Sequence, residues 1–343
     1  MALFHHSPKE TKQAIYDCIA ANLVPFVQSS PGVGKSDIVK GIAKESNAEL
    51  IDIRLSQCAP EDLMGLPMKI DTPQGPRSAF VPFTTFPVEG DPLPEGKDGW
   101  LLFLDEFNSA SKSVQAAAYK LILDREVGQA KLHPKCKVVA AGNLSTDKAI
   151  TNNLGTAMQS RVVHILMQTS IKDWTEYAIS AGFDSRIIGY LQFAPQNLHN
   201  FNPDHQDKTF ACPRTWEFCS RLIRNKPAEA INLKLVAGTI SEGVAVEFHA
   251  FLEEFSNLPD YADIVKKPTE VAIPSKISTR FAIITMLVNK MQEDDFQSVS
   301  QYVERFTREF QIVFYRQIVM KYPKLQRTNH YIGKVSKLLQ SVL

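Results

Sequence analysis

Hydrophobic positions in the first half of the chain switch repeatedly between the two periods that separate strands from helices. Ser7 and Glu10 form an S-x-x-E pattern with Pro8 just inside it, which predicts a helix from there to about Ala20. LVPFVQ, residues 23–28, is a short apolar run closed by a Ser-Pro-Gly turn and reads as a strand. In SDIVKGIAKES, Ile38, Ile42 and Ala43 recur at helical spacing, whereas ELIDIRL, residues 49–55, alternates like a strand. WLLFLDEFNS, residues 100–109, is a continuous apolar run that ends in two carboxylates, and VQAAAYKLILDRE after it is a strong helix pattern. KVVAAGN, residues 137–143, and RVVHILM, residues 161–167, complete a set of five predicted strands with helices between them. Such alternation predicts an α/β domain, residues 1–168, built on a five-stranded parallel sheet covered by helices on both faces.

The pattern breaks twice. Residues 56–99 are rich in Pro and Gly, carry Phe80, Phe83 and Phe86 at regular spacing, and read as an insert. From Ser170 the chain turns helical, with a polar loop near 198–209 and an amphipathic stretch over about 229–255. Residues 169–255 are expected to form an all-helical domain. Residues 256–276, with Pro259, Pro268 and Pro274, are expected to be an extended connector, and residues from about Thr279 onward a C-terminal helical extension.

Composition narrows the function classes. With 44% hydrophobic and 22% charged residues over 343 positions the chain can bury a sizeable core, and a net charge of +1 gives no global attraction to nucleic acid or anionic lipid. The chain shows neither a leader pattern at MALFHHSPKE nor an apolar run long enough to span a membrane, so a cytoplasmic location is expected. Cys18, Cys58, Cys136, Cys212 and Cys219 are odd in number and lack C-x-x-C spacing, which predicts reduced thiols. His205 with Cys212 and Cys219, or His133 with Cys136, falls short of a four-ligand zinc set.

The candidate chemistry starts at SSPGVGKS, Ser29 to Ser36, which follows G-x-x-x-x-G-K-[ST] except at its first glycine. Between a strand and a helix, a loop of this kind turns successive backbone N–H groups toward an anion at a helix N-terminus. Ser30, Pro31, Gly32, Val33 and Gly34 would supply the cradle, Lys35 would pair with phosphates, and the Ser36 hydroxyl would ligate Mg²⁺. Asp105 and Glu106 arrive at the C-terminal edge of the sheet, where nucleotides bind in such folds. There Asp105 would hold the Mg²⁺ shell and Glu106 would activate water; the competing reading has both merely capping the next helix. Asn143 reaches the same edge, as a candidate for the γ-phosphate or the attacking water, and Arg161 and Arg214 add positive charge.

SSPGVGKS, LLFLDE, AAGN, QSR and PRTW, in this order, resemble the AAA+ ATPases, and specifically their MoxR branch, over about residues 8–225. The resemblance implies Walker A at Lys35 and Ser36, Walker B at Asp105 and Glu106, sensor 1 at Asn143, an arginine finger at Arg161 and sensor 2 at Arg214 on a helical lid. It further implies ATP and Mg²⁺, a ring oligomer, most often a hexamer, in which Arg161 serves the neighbouring subunit from an edge strand, and a protein partner bearing a von Willebrand factor A domain. APEDLMGLP with the phenylalanines after it is similar to the branch's helix-2 insert, and REVGQAKLH to its hairpin before sensor 1.

Departures from the branch are Ser29 in place of glycine, Asn143-Leu144 where Asn-Pro is common, and the absence of a Glu-Gly-Thr run in Ser145–Gly155. Neither Asn225-Lys226 nor Asn289-Lys290 continues as N-K-x-D, which favours ATP over GTP. Three functions follow as alternatives. The first is a remodelling ATPase whose insert, with Met64, Leu66, Met68, Phe80, Phe83 and Phe86, faces the partner unless those phenylalanines pack inward. The second is a nucleic-acid motor or loader that uses Arg316, Lys321, Lys324, Arg327, Lys334 and Lys337 interleaved with Tyr315, Tyr322 and Tyr331, unless that tail is an amphipathic helix. The third is a nucleotide-gated scaffold with slow turnover.

Overall fold

The computed structural model describes residues 4–147, 152, 154–204 and 207–340. The chain divides into two compact units, Met1–Thr169 and Ser170–Leu343.

In the first unit the elements run β1 (His5–His6), α1 (Pro8–Ala20), β2 (Pro25–Ser29), α2 (Lys35–Glu45), β3 (Ala48–Arg54), α3 (Pro60–Met64), β4 (Leu66–Thr72), β5 (Gly75–Val81), β6 (Gly99–Asp105), α4 (Lys112–Leu123), β7 (Glu126–Val127), β8 (Ala130–Lys131), β9 (Cys136–Asn143), α5 (Thr156–Gln159) and β10 (Val163–Met167). The main sheet is parallel, in the order β1-β10-β2-β9-β6-β3. It has six strands where the sequence predicts five. The extra strand, β1, pairs His5 with Leu166 and His6 with Met167, and two residues are too few to display any period.

Burial explains why the strands read as unbroken apolar runs. Leu102 and Leu104 of β6, with Val138 and Ala140 of β9, pack on one face beside α4 residues Val114, Ala118 and Leu121. Leu101, Phe103, Val139 and Ala141 pack on the other face beside Val39 and Ile42 of α2 and Ile15 of α1. Each fully buried Leu or Phe contributes roughly 1.5–3 kcal/mol of transfer free energy. A sheet buried on both faces leaves no polar side to alternate with. Helix α1 starts as expected: the Ser7 side chain accepts from Glu10 N–H and the Glu10 carboxylate accepts from Ser7 N–H, with Pro8 in the first turn.

The insert folds as α3 followed by the antiparallel hairpin β4–β5, in register Leu66↔Val81 through Thr72↔Gly75. Directly opposed residues share a face. One face therefore carries Leu66, Met68, Ile70, Ala79 and Val81, with Arg77 opposite Ile70 and Thr72 at its end; Leu66 is 46% exposed, Met68 53%, Ile70 39% and Val81 44%. Phe80 and Phe83 are also exposed, but Phe86 is buried and Met64 packs against the core, so the proposed partner-facing set loses both. Gly65 has φ +86°, and a Cβ there would stand 2.1 Å from the Val81 carbonyl oxygen, so only glycine lets the hairpin close on α3.

The second unit is helical: α6 (Ile171–Ser180), α7 (Ser185–Phe193), α8 (Pro213–Ile223), α9 (Leu233–Ile240), α10 (Glu242–Ser256), α11 (Tyr261–Lys266), α12 (Ile277–Lys290), α13 (Phe296–Val303), α14 (Arg308–Lys321) and α15 (Asn329–Gln340). It holds two apolar clusters, one around Tyr190, Trp216 and Phe248, the other around Tyr302, Phe314 and Ile318. The connector is not extended throughout, because Asp260 caps α11 by accepting from Ala262 N–H and Ile264 inserts into the second cluster.

The basic tail is used by the fold. Tyr315 and Tyr331 are buried, and the Tyr322 hydroxyl donates to the Met291 carbonyl. Lys321 Nζ donates to the Val288 and Asn289 carbonyls at 3.0 and 2.7 Å, capping the end of α12, and burial pushes its ammonium below the ordinary lysine range. Among the earlier expectations, His205, part of the loop Ser145–Gly155 and residues 341–343 lie outside the described residues.

Candidate active site at the sheet edge

Strands β2, β6 and β9 end side by side, and their last residues, Ser29, Asp105 and Asn143, reach one edge of the sheet. Ser29 pairs in register with Asn143. The loop after β2 then turns into α2 through Gly32 at φ +76° and Gly34 at φ +102°. Both values lie where L side chains are strained, and a Cβ on Gly34 would meet nothing within 4 Å, so Gly34 is required for its backbone angle while the space beside it stays open. The first amides of α2 have no partner within the helix and, with the helix dipole, form a site of positive potential.

Ser29 takes no left-handed backbone angle and is fully buried, so the missing glycine costs the loop nothing in conformation. Its side chain has a partner that sequence alone did not suggest. Lys35 Nζ donates to Ser29 Oγ at 3.0 Å, to the Ser29 carbonyl at 3.1 Å and to Asn143 Oδ1 at 3.2 Å. Here the ammonium of Lys35 rests inside the loop, with these neutral oxygens among its partners.

The Asp105 carboxylate is divided between two donors. Oδ1 accepts from Glu106 N–H at 2.8 Å, and Oδ2 accepts from the Ser36 hydroxyl at 3.1 Å. Two hard oxygens converging from different elements suit Mg²⁺, which takes one or two protein oxygens and fills its octahedron with water and phosphate. Among the described residues no group of three or more His, Cys, Asp or Glu could hold a metal by itself, so a metal here depends on such outside oxygens.

Glu106 sits in the left-handed region at φ +56°, which costs a non-glycine residue roughly 1–2 kcal/mol. Its Oε2 accepts from the hydroxyl of Ser56. Ser111, not Asp105 or Glu106, caps the following helix by accepting from Val114 N–H at 3.3 Å, which removes the capping alternative for the two carboxylates. Asn108, three residues beyond Asp105, is buried; its Nδ2 donates to the Asn143 carbonyl at 2.7 Å and its Oδ1 accepts from Asn143 N–H at 3.0 Å. Sequence reasoning passed over Asn108 and Ser56. The first had a signal, a buried polar residue just after the carboxylates, and the second had none.

The structure thus brings Lys35, Ser36, Asp105, Glu106 and Asn143 together and leaves Arg161 apart from them. Arg161 is exposed, and its guanidinium donates to the Ala157 carbonyl at 3.0 Å. It lies two residues before β10, at the N-terminal edge of the sheet, because Val163 pairs with Pro25 at the start of β2. Ser29 lies at the other end of β2, roughly 13 Å farther along the strand direction. Arg214 belongs to the second unit, exposed in the first turn of α8.

Residues 26–172 match the AAA domain family of the dynein-related subfamily. Among solved structures, the chain is similar to a Cytophaga hutchinsonii protein provisionally described as an ATPase, at 14% identity and TM-score 0.34, covering 97% of this chain and 88% of that one. It is also similar to two variants of Thermotoga maritima RuvB, each at 14% identity, with TM-scores of 0.34 and 0.38, covering 97% and 85% of this chain and 83% and 86% of theirs. Likenesses this distant carry no argument, and the family match stands apart from them. Residues 26–172 are an AAA domain, and this part of the chain is an ATPase of the AAA+ class.

Proposed function

We propose that the chain is a ring-forming AAA+ remodelling ATPase of the MoxR type, whose sites are completed between subunits. In this reading the loop Ser30–Ser36 cradles the phosphates of ATP, and Lys35 leaves its resting acceptors to pair with them. Ser36 and Asp105 would hold Mg²⁺, which would supply neutralisation of phosphate charge. Water attacks the γ-phosphorus, the bond to ADP breaks, and the Glu106 carboxylate takes the proton of the water. Asn143 orients the γ-phosphate or the water. Residues 169–255 act as the lid that carries Arg214 as sensor 2.

The observation that carries the reading is the position of Arg161. A cation at the edge of the sheet opposite Lys35 is too far along β2 to serve its own site, yet it is exposed and free of a carboxylate partner among the described residues. That position supports a role at a neighbour's site instead. The expected edge strand is corrected in one respect: β1 covers β10, but only at Leu166 and Met167, leaving the end near Arg161 without an outer strand. The partner-facing surface of this reading is the exposed apolar face of β4–β5, which a two-stranded hairpin cannot bury by itself; a protein with a von Willebrand factor A domain is the proposed partner. Burial of Tyr315 and Tyr331 weighs against the nucleic-acid reading, which would stack bases on them.

Subunit mixing tests this. Arg161→Ala and Lys35→Ala are each expected to be inactive alone, and a mixture is expected to recover turnover, because the second variant lends its arginine to the intact loop of the first. Absence of recovery, or an Arg161→Ala protein as active as the parent at every concentration, overturns completion between subunits.

A further inference from the structure

The last pairing between β6 and β9 is Leu104 with Ala140, whereas β9 runs on to Asn143. Beyond that point β9 has β2 on one side, through Ser29↔Asn143, and no strand on the other. Both backbone groups of Asn143 on that side are taken by one side chain, the amide of Asn108, which donates to the carbonyl at 2.7 Å and accepts from the N–H at 3.0 Å. The amide substitutes for a missing strand residue. Gly142 makes room for it, since a Cβ there would stand 2.3 Å from Asn108 Oδ1. Asn108 is 5% exposed, so neither hydrogen bond competes with bulk water.

The same turn has a second tie. The Asn108 carbonyl accepts from Asn152 N–H at 2.6 Å, and the Asn152 side chain donates to the Ala110 carbonyl at 2.8 Å. Asn152 lies on the segment that leads through α5 to Arg161.

We propose that Asn108 is a positioning residue for ATP hydrolysis: by clamping the backbone of Asn143 it fixes the sensor amide against the carboxylate turn, and through Asn152 it joins that turn to the segment bearing Arg161. This rests on the ATPase reading of the site. Clamped on both backbone groups, Asn143 can move only its side chain when Lys35 leaves Oδ1 for a phosphate. A clamp of this kind sets rate rather than affinity, because the phosphate cradle of residues 30–36 does not depend on it.

The test compares steady-state ATP turnover, binding of a fluorescent ATP analogue and thermal melting in the parent, Asn108→Ala and Asn108→Asp. Loss of the clamp in Asn108→Ala is expected to lower kcat roughly 10- to 100-fold, the scale of a misplaced catalytic group, with analogue affinity within about threefold of the parent. Asn108→Asp keeps the shape but, when ionised, cannot donate to the Asn143 carbonyl; its protonated form restores one donor and one acceptor. Its kcat relative to the parent is therefore expected to climb as pH falls, because protonation restores the donor. Unchanged kcat in Asn108→Ala overturns the proposal. So does a parallel loss of kcat, affinity and melting temperature in both variants with no recovery at low pH, which marks a merely structural role. A parent protein that binds the analogue and never turns over ATP overturns the functional reading instead.

Discussion

Lys35 Nζ donates to Asn143 Oδ1 across 3.2 Å, joining the loop after β2 to the end of β9, where the proposed sensor amide sits. One cation here holds a residue that it must release when an anion arrives. Loading of the loop and freedom of the Asn143 side chain are consequently coupled. Removing either end has a distinct expected effect. Lys35→Ala abolishes ATP turnover and analogue binding, whereas Asn143→Ala binds the analogue and loses roughly 10²–10³-fold in kcat, the scale of one lost oriented donor. Equal loss of binding in the two variants would contradict this division.

Ser29→Gly is expected to leave turnover within a few-fold of the parent. Ser29 is buried in strand geometry and its hydroxyl is one of several acceptors for Lys35, so its loss removes a single neutral acceptor, worth about 1 kcal/mol. A steady-state assay over an ATP titration checks it, and a collapse of kcat would give the Ser29 hydroxyl a larger part than its contacts indicate.

The hydroxyl of Ser56 holds Oε2 of Glu106, the proposed acceptor of the water's proton. Ser56→Ala frees that carboxylate, so turnover without a partner is expected to rise about two- to fivefold, the scale of one modest hydrogen bond. A fall in turnover would mean that Ser56 aims Glu106 rather than restrains it. Glu106→Gln is expected to bind the analogue and stop cycling; unchanged turnover would favour the scaffold reading.

Gly142→Ala forces a methyl group to within 2.3 Å of Asn108 Oδ1 and 2.9 Å of Phe26 Cζ. Neither neighbour is free to withdraw, because Phe26 is core and Asn108 is doubly bonded. A loss of about 1–3 kcal/mol in stability, read by urea or thermal denaturation, is expected from this overpacking, together with reduced turnover.

Burial pushes the Cys136 thiol up to about 11 and the Cys219 thiol up to about 12, from an ordinary value of 9.0. The unfolded chain therefore loses these protons before the folded protein does. Their contribution to stability is fully present below about pH 9 and is lost as pH rises through the folded values. Urea denaturation from pH 8 to 11 is expected to show a decline that Cys219→Ala flattens, and alkylation of either thiol at neutral pH should await unfolding. A profile identical in parent and variant would remove Cys219 as a source of that decline.

Much of the AAA domain was legible in the chain. Strands such as Trp100–Leu104 and Val138–Ala141 announce themselves because both faces are buried, and Gly32, Gly34, Lys35 and Ser36 declare a loop whose backbone angles and charge are set locally. The capping box at Ser7 and Glu10 is likewise a contact between near neighbours.

What the tertiary structure alone decided are relations between residues distant in sequence. No local period shows that Asn108 completes the edge of β9, that Ser56 reaches Glu106, or that β1 joins the sheet through two residues. Nor does any period separate Phe86, which is buried, from Phe80 and Phe83, which are not, or predict that Tyr315 and Tyr331 serve a core. Hydrophobic spacing encodes which face of an element turns inward, because that depends on the repeat of the backbone itself. Which element meets that face, and which polar atoms are left at its rim to be satisfied, is decided only when the chain has folded back on itself.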